Sequence, residues 1–219
     1  RSLLTPVERQ ALDAAERGDA AALLKALKDQ GLNPNVRDER GRTALSLMAR
    51  QGDLAACREL VRRGARLDAR GAEGFTPLAA ASLGGHLLVV RELLDAGARS
   101  DEPSGNGQLP IHLAAAYGHA DVMAMLMARG ADPLAFNTEG RHALSEAARM
   151  GHIPLMAQLV AQGVSPAAPD QFGLNALHAA ALGKQPEAAR WLQQKQVPVS
   201  GVMSQLLLDV IELDPFPAR

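Results

Sequence analysis

Residues 107–139 read GQLPIHLAAAYGHADVMAMLMARGADPLAFNTE. The stretch holds two short apolar segments, each closed by a glycine, and then a polar return rich in turn-forming residues. Its first residue, Gly107, has counterparts at Gly41, Gly74, Gly140 and Gly173, each 33 residues from the next. Gly52, Gly85, Gly118 and Gly151 keep the same step, and so do Gly64, Gly97, Gly130 and Gly163. Three glycine series in one phase mark an internal repeat, and a fixed period of this size marks a stacked array.

Local chemistry fits the same unit. Thr43, Thr76 and Asn175 offer side-chain oxygens where a helix must begin, and Pro77 suits a first helical position, whose N–H is unused. Leu109 and His142 depart from this pattern, and Leu109 has no oxygen to offer. The second and third glycine series suit the left-handed residue that closes a helix. Ala79-Ala80-Ala81 and Leu113-Ala114-Ala115-Ala116 are strong helix formers that let backbones approach. Val89, Val90, Leu93 and Leu94, and Val122, Met123, Leu126 and Met127, recur at helical spacing. Each predicted helix has about two to three turns, too short to persist alone in water. The units must therefore gain their core by stacking on one another.

Thr76-Pro77-Leu78, Pro110-Ile111-His112-Leu113-Ala114 and Ala176-Leu177-His178-Ala179-Ala180 resemble the T-P-L-H-x-A core of the ankyrin repeat. The resemblance spans roughly residues 8 to 200. It implies an all-α solenoid of stacked helix–turn–helix units joined by β-hairpin-like loops. It also implies a protein-binding module, an adaptor, inhibitor or scaffold without chemistry of its own.

The expected organisation is one ankyrin-repeat domain over 1–219. Residues 1–40 form an N-terminal capping repeat; 41–73, 74–106, 107–139 and 140–172 are full repeats. Gly18 comes one residue early while Gly31 is in phase, so one residue is inserted near Lys28 to Gln30. Ser104-Gly105-Asn106-Gly107 reads as a looser hairpin tip than its neighbours. Residues 173–199 are a degenerate fifth repeat, with Lys184 and Gln196 in place of two glycines. Residues 200–219 are a C-terminal capping helix and tail, the helix covering 200–213. That helix is apolar around most of its circumference, which suits burial against the fifth repeat or contact with a second copy through 202–213.

Net charge is −1, which makes no global case for nucleic acid or an anionic membrane. Charge is uneven: residues 37–70 hold nine arginines against five acids. Cys57 is the single cysteine, so no intrachain disulfide forms, which suits a reducing compartment. A cytoplasmic site is expected, or a periplasmic or secreted one if a signal segment was removed. Residue 1 is Arg rather than Met, which reads as a fragment or processed product. No apolar run is long enough to span a membrane. Arginine outnumbers lysine 19 to 4, a composition of GC-rich bacterial genes.

Catalytic patterns fail. Gly183-Lys184 is followed by Gln185 and preceded by His178 where a phosphate loop needs glycine. There is no G-x-S-x-G elbow. Cys57 has no positioned base and sits on a core-facing rhythm. His86, His119 and His152 recur at the 33-residue step, but neighbouring helices lie about 8–10 Å apart. Ligands of one zinc lie within about 4 Å of each other. These histidines, with His112 and His178, are expected to hydrogen-bond neighbouring repeats. No enzyme activity, cofactor or metal is expected.

In the ankyrin family the hairpin tips and inner-helix ends form a concave binding surface. Carried onto this sequence, its variable positions include Arg42 and Arg50 in repeat one, and Phe75 and Leu83 in repeat two. Tyr117 and Phe136 follow in repeat three, Arg141, Arg149 and Met150 in repeat four, and Phe172, Leu174 and Leu182 in repeat five. Four of the six aromatics thus fall where exposure is expected. Phe75, Leu83, Tyr117, Phe136, Met150, Phe172 and Leu174 would form an apolar stripe edged by Arg141 and Arg149. Aromatics and arginine are the enriched residues of binding hot spots. Arg42 and Arg50 could take an acidic segment; Arg58, Arg62, Arg63 and Arg66 read as a solvated outer face. The expected partner is another protein, bound by a monomer. The alternatives are a recognition domain of a larger enzyme or secreted bacterial effector, and a self-assembling structural protein.

Overall fold

The computed structural model describes residues 4–71, 73–199 and 209–210. The helix expected over 200–213 lies outside them apart from Asp209 and Val210, as does the contact expected through 202–213. Twelve α-helices are defined among the described residues, in six consecutive pairs. The pairs are α1 (Pro6–Arg17) with α2 (Ala20–Asp29), α3 (Ala44–Gln51) with α4 (Leu54–Arg62), and α5 (Pro77–Gly84) with α6 (Leu87–Asp95). Then come α7 (Pro110–Ala116) with α8 (Ala120–Ala128), α9 (Ala143–Met150) with α10 (Ile153–Ala161), and α11 (Ala176–Leu182) with α12 (Pro186–Gln194). An isolated antiparallel bridge joins Arg37 to Thr43, and no strand forms among the described residues. The fold is the expected all-α solenoid.

Odd-numbered helices pack in series as one layer, even-numbered helices as a second, and each odd helix packs on its even partner. Residue type decides the layer. In the odd helices α3 to α11, six consecutive residues are buried, as at 44–49 and 143–148. Such helices need cover on every side, and their alanines allow it. The even helices bury one stripe only: Ala56, Cys57 and Leu60, then Val89, Val90 and Leu93, and so on to Ala188, Ala189 and Leu192. Their other face is solvated. The inserted residue is absorbed in α2, which has 10 residues against nine in α4.

Caps follow the sequence with one correction. Thr43, Thr76 and Asn175 accept backbone N–H groups of their helices, as Thr76 Oγ1 does from Ala79 at 3.2 Å. His142 caps too: its ring Nδ1 accepts the Ser145 N–H at 3.2 Å, since an imidazole lone pair can replace a hydroxyl. At Leu109 the oxygen is missing, but His112 Nδ1 takes the Leu109 N–H at 3.0 Å.

The joints between pairs rest on a second set of histidines. His86 Nε2 meets the Arg50 carbonyl, His119 Nε2 that of Leu83 and His152 Nε2 that of Ala116, each at 2.9 Å. Each therefore satisfies a free carbonyl at the end of the preceding odd helix, which has no partner within its own helix. The ring lies against a glycine: a Cβ on Gly85 would stand 2.4 Å from His119 Nδ1. Gly85 also has φ +71°, so both space and backbone demand glycine there. In the last pair Lys184 and Gln196 keep the left-handed turn, at φ 55° and 59°, despite their side chains.

The hairpins share one design. The N–H groups of Asp38, Gly71, Ser104, Asn137 and Asp170 donate to the carbonyls four residues on. Asp38, Asn137 and Asp170 add a side-chain oxygen that accepts two further N–H groups of the tip. Ser104 is buried, and Gly105 donates its N–H to the Gly74 carbonyl at 3.0 Å, so adjacent tips touch through backbone.

Candidate protein-binding surface

The surface expected to bind a partner lies between the hairpins and the C-terminal ends of the odd helices. Side-chain braces fix the hairpins at Asp38, Asn137 and Asp170, and the joint histidines hold the ends of α3, α5 and α7. The residues expected there divide into two groups.

Toward the N-terminus the surface is charged and self-satisfied. Arg42 Nη1 donates to Glu16 at 2.8 Å and Arg42 Nε to Asp38 at 2.7 Å, so this arginine ties its hairpin to α1. The hydrogen bond from Arg42 holds the Glu16 carboxyl below the usual carboxylate range. Arg50 is exposed and faces Glu73 at 3.6 Å. Phe75 is half-buried rather than exposed, because it shares a cleft of about 150 Å³ with Arg40, Arg42, Leu47, Arg50 and Glu73. Leu83 is also half-buried. On the outer helices Arg58 pairs with Glu92, and Arg62 and Arg63 with Glu59. Hydrogen bonds from Arg62 and then Arg63 pull the Glu59 carboxyl down to about 2. Arg66 pairs with Asp68 and Arg70 with Glu102. The arginine excess of this segment is thus largely taken up by acids of its own and neighbouring pairs.

Toward the C-terminus the surface is apolar. Tyr117 is 57 % exposed, Phe136 48 %, Met150 41 %, Phe172 68 % and Leu182 60 %. Tyr117 and Met150 close α7 and α9 at equivalent positions, and Leu182 closes α11. Phe136 stacks on the His142 ring with centroids 6.4 Å apart. Phe172 lies over Gly140 of the preceding tip, where a Cβ would meet its ring at 2.6 Å. Leu174 is half-buried.

Between these side chains lies a feature that the sequence reading did not single out. Glu146 is 1 % exposed, yet it is charged. Its Oε1 accepts from Arg141 Nε at 2.8 Å and from Asn137 Nδ2 at 2.9 Å. Its Oε2 accepts from Arg149 Nη2 at 2.9 Å and Nε at 3.2 Å. Burial alone would raise its pKa; the hydrogen bonds and charges of Arg141 and Arg149 outweigh that and hold the carboxyl below the usual range. Arg141 also contacts Glu139 on the hairpin tip.

Cys57 is fully buried, and burial, with Asp53 and Glu92 nearby, pushes its thiol up to about 12. His86, His119 and His152 each serve a different carbonyl. Among the described residues no group of three His, Cys, Asp or Glu side chains could hold a metal ion.

The family model described as "Ankyrin repeats (3 copies)" matches residues 12–104, 50–137 and 111–201. The chain belongs to the ankyrin-repeat family. No curated protein matches this ankyrin-repeat chain significantly. Ankyrin repeats are generally protein–protein interaction modules and are typically non-catalytic. No helix among the described residues of this ankyrin-repeat protein is long and apolar enough to cross a membrane.

Proposed function

We propose that this chain binds a partner protein through the face formed by its hairpins and odd-helix ends, acting as an adaptor, inhibitor or scaffold. One observation carries the reading. Of the eight large apolar side chains exposed among the described residues, five lie on this face in three successive pairs: Tyr117, Phe136, Met150, Phe172 and Leu182. Scattered exposed apolar residues need no explanation, but a clustered set on one face marks an interaction site. Tyrosine and phenylalanine supply much contact area for few rotatable bonds, and methionine adapts its shape to what it meets, which favours association. The bound species is a polypeptide, since the exposed apolar side chains follow one another over three successive pairs.

The test compares the wild type with Tyr117→Ala/Phe136→Ala in affinity capture from the native cell. Loss of the captured protein is expected, with a melting temperature that moves by only about 2 °C, the size of a sub-kilocalorie change for this length. A large fall in melting temperature would show instead that the rings hold the fold.

A further inference from the structure

We infer that the partner presents an aspartate or glutamate side chain to Arg141 and Arg149, with a large apolar residue on either side of it. The inference rests on the proposed binding face and names what that face recognises. It starts from the place of Glu146. At the 33-residue step its equivalents are Leu47, Ala80, Leu113 and Ala179. Four pairs put an apolar side chain where the pair α9–α10 buries a carboxylate. An unpaired buried charge is strongly destabilising, so the site stands only because Arg141, Arg149 and Asn137 close around it.

The consequence for the arginines is order. Arg149 donates to Glu146 through Nε and Nη2, and Arg141 through Nε, so both planar groups are anchored from beneath. Nη1 of each donates no hydrogen bond among the described residues. Arg149 retains 36 % of its side-chain exposure. Two cations share one buried carboxylate, and the balance falls to Glu139, which is 57 % exposed on the tip and replaceable by an incoming acid. A guanidinium held in place loses little rotamer freedom on binding a second carboxylate. Arg42 instead ties its hairpin to α1 through Asp38 and Glu16.

The flanks are apolar on both sides. Arg149 is followed by Met150; Tyr117 closes the preceding odd helix, and Leu182 stands on the next one at the position equivalent to Arg149. Adjacent helices lie about 10 Å apart, the reach of about three residues of extended chain. The bound segment then reads as a central acid with an apolar anchor toward each end.

Panning a random-peptide phage library on the full chain tests this. The enriched peptides are expected to carry an acid between large apolar residues. Synthetic copies should bind Arg149→Ala about tenfold more weakly, a loss of about 1.4 kcal/mol. Glu146→Gln, which removes the anchoring charge, should weaken them as well, read below its own melting temperature, which should fall because both guanidiniums lose the carboxylate they share. Acid-free peptides that still lose affinity on Tyr117→Ala would overturn the carboxylate inference and leave the binding face standing. Peptides indifferent to both Tyr117→Ala and Arg149→Ala would overturn the two together.

Discussion

Four of the five joints of the array hand a side-chain N–H across to a carbonyl of the preceding pair, while at the last the side chain turns back to its own loop. Inside, His86, His119 and His152 reach across to a carbonyl 36 residues earlier, all at 2.9 Å. At the first joint Gln51 does this from the end of α3, donating Nε2 to the Ala15 carbonyl at 2.7 Å and to that of Glu16 at 3.1 Å. At the last, Gln185 occupies the histidine position but donates to Gly183 of its own loop at 3.2 Å. What a joint requires is an N–H at the right reach beside a glycine. A ring delivers it with one rotatable bond fewer than an amide, and that rigidity matters most where both sides of the joint must hold register.

The largest expected effect breaks an interior joint outright. Gly85→Ala would meet the His119 ring and force a left-handed alanine, so a loss of about 3 kcal/mol is expected in urea unfolding. Gly64→Ala shares the positive φ but has nothing within 4 Å, and should lose only about 1 kcal/mol. Equal losses would mean that the ring contact contributes nothing.

A smaller effect sharpens the comparison between ring and amide. His119→Ala removes one hydrogen bond and strands the Leu83 carbonyl, a loss of about 1–2 kcal/mol. His119→Gln should recover part of it, as Gln51 implies. Failure of glutamine to do better than alanine would show that packing of the ring, rather than its N–H, holds the joint.

The smallest effect near neutral pH separates the two ends of the molecule. His112, His142 and His178 are buried, and burial lowers their pKa below the ordinary histidine value. The Nδ1 atoms of His112 and His142 accept backbone N–H groups, so the neutral ring is the folded form there. The stability they contribute is complete above the unfolded histidine pKa of about 6.5 and is lost as pH falls through the lowered folded values. All six histidines lie at residue 86 or beyond. Hydrogen exchange at mildly acid pH should therefore quicken in α7, α9 and α11 before it quickens in α1 and α2. Uniform quickening would show that acid acts on something other than these rings.

Much of this was legible because the repeat writes the same residue at the same place. Three glycine series and the Thr, Pro and Asn caps place the helices and their ends. The hairpin braces form a fourth series at the same step, but it runs Asp38, Gly71, Ser104, Asn137, Asp170, residues alike only in what some of them can accept. Identity does not reveal it; geometry does. Tyr117, Phe136 and Phe172 are exposed as the family positions imply, whereas Phe75 is half-buried in a cleft that it lines with Leu47 of the preceding repeat, a neighbourhood that one-dimensional spacing does not contain. Glu146 could have been found: an acid at the register of Leu47 and Leu113 breaks the apolar rhythm, and Arg141 and Arg149 lie within helical reach of it.

The constant reach of the joint histidines makes the molecule divisible in whole units. Excising residues 107–139 would set His152 in the register of His119, facing the Leu83 carbonyl with Gly85 beneath it. The seam would close on the partner it was built for, leaving a shorter array that has lost Tyr117, Phe136 and the Asn137 bond to Glu146.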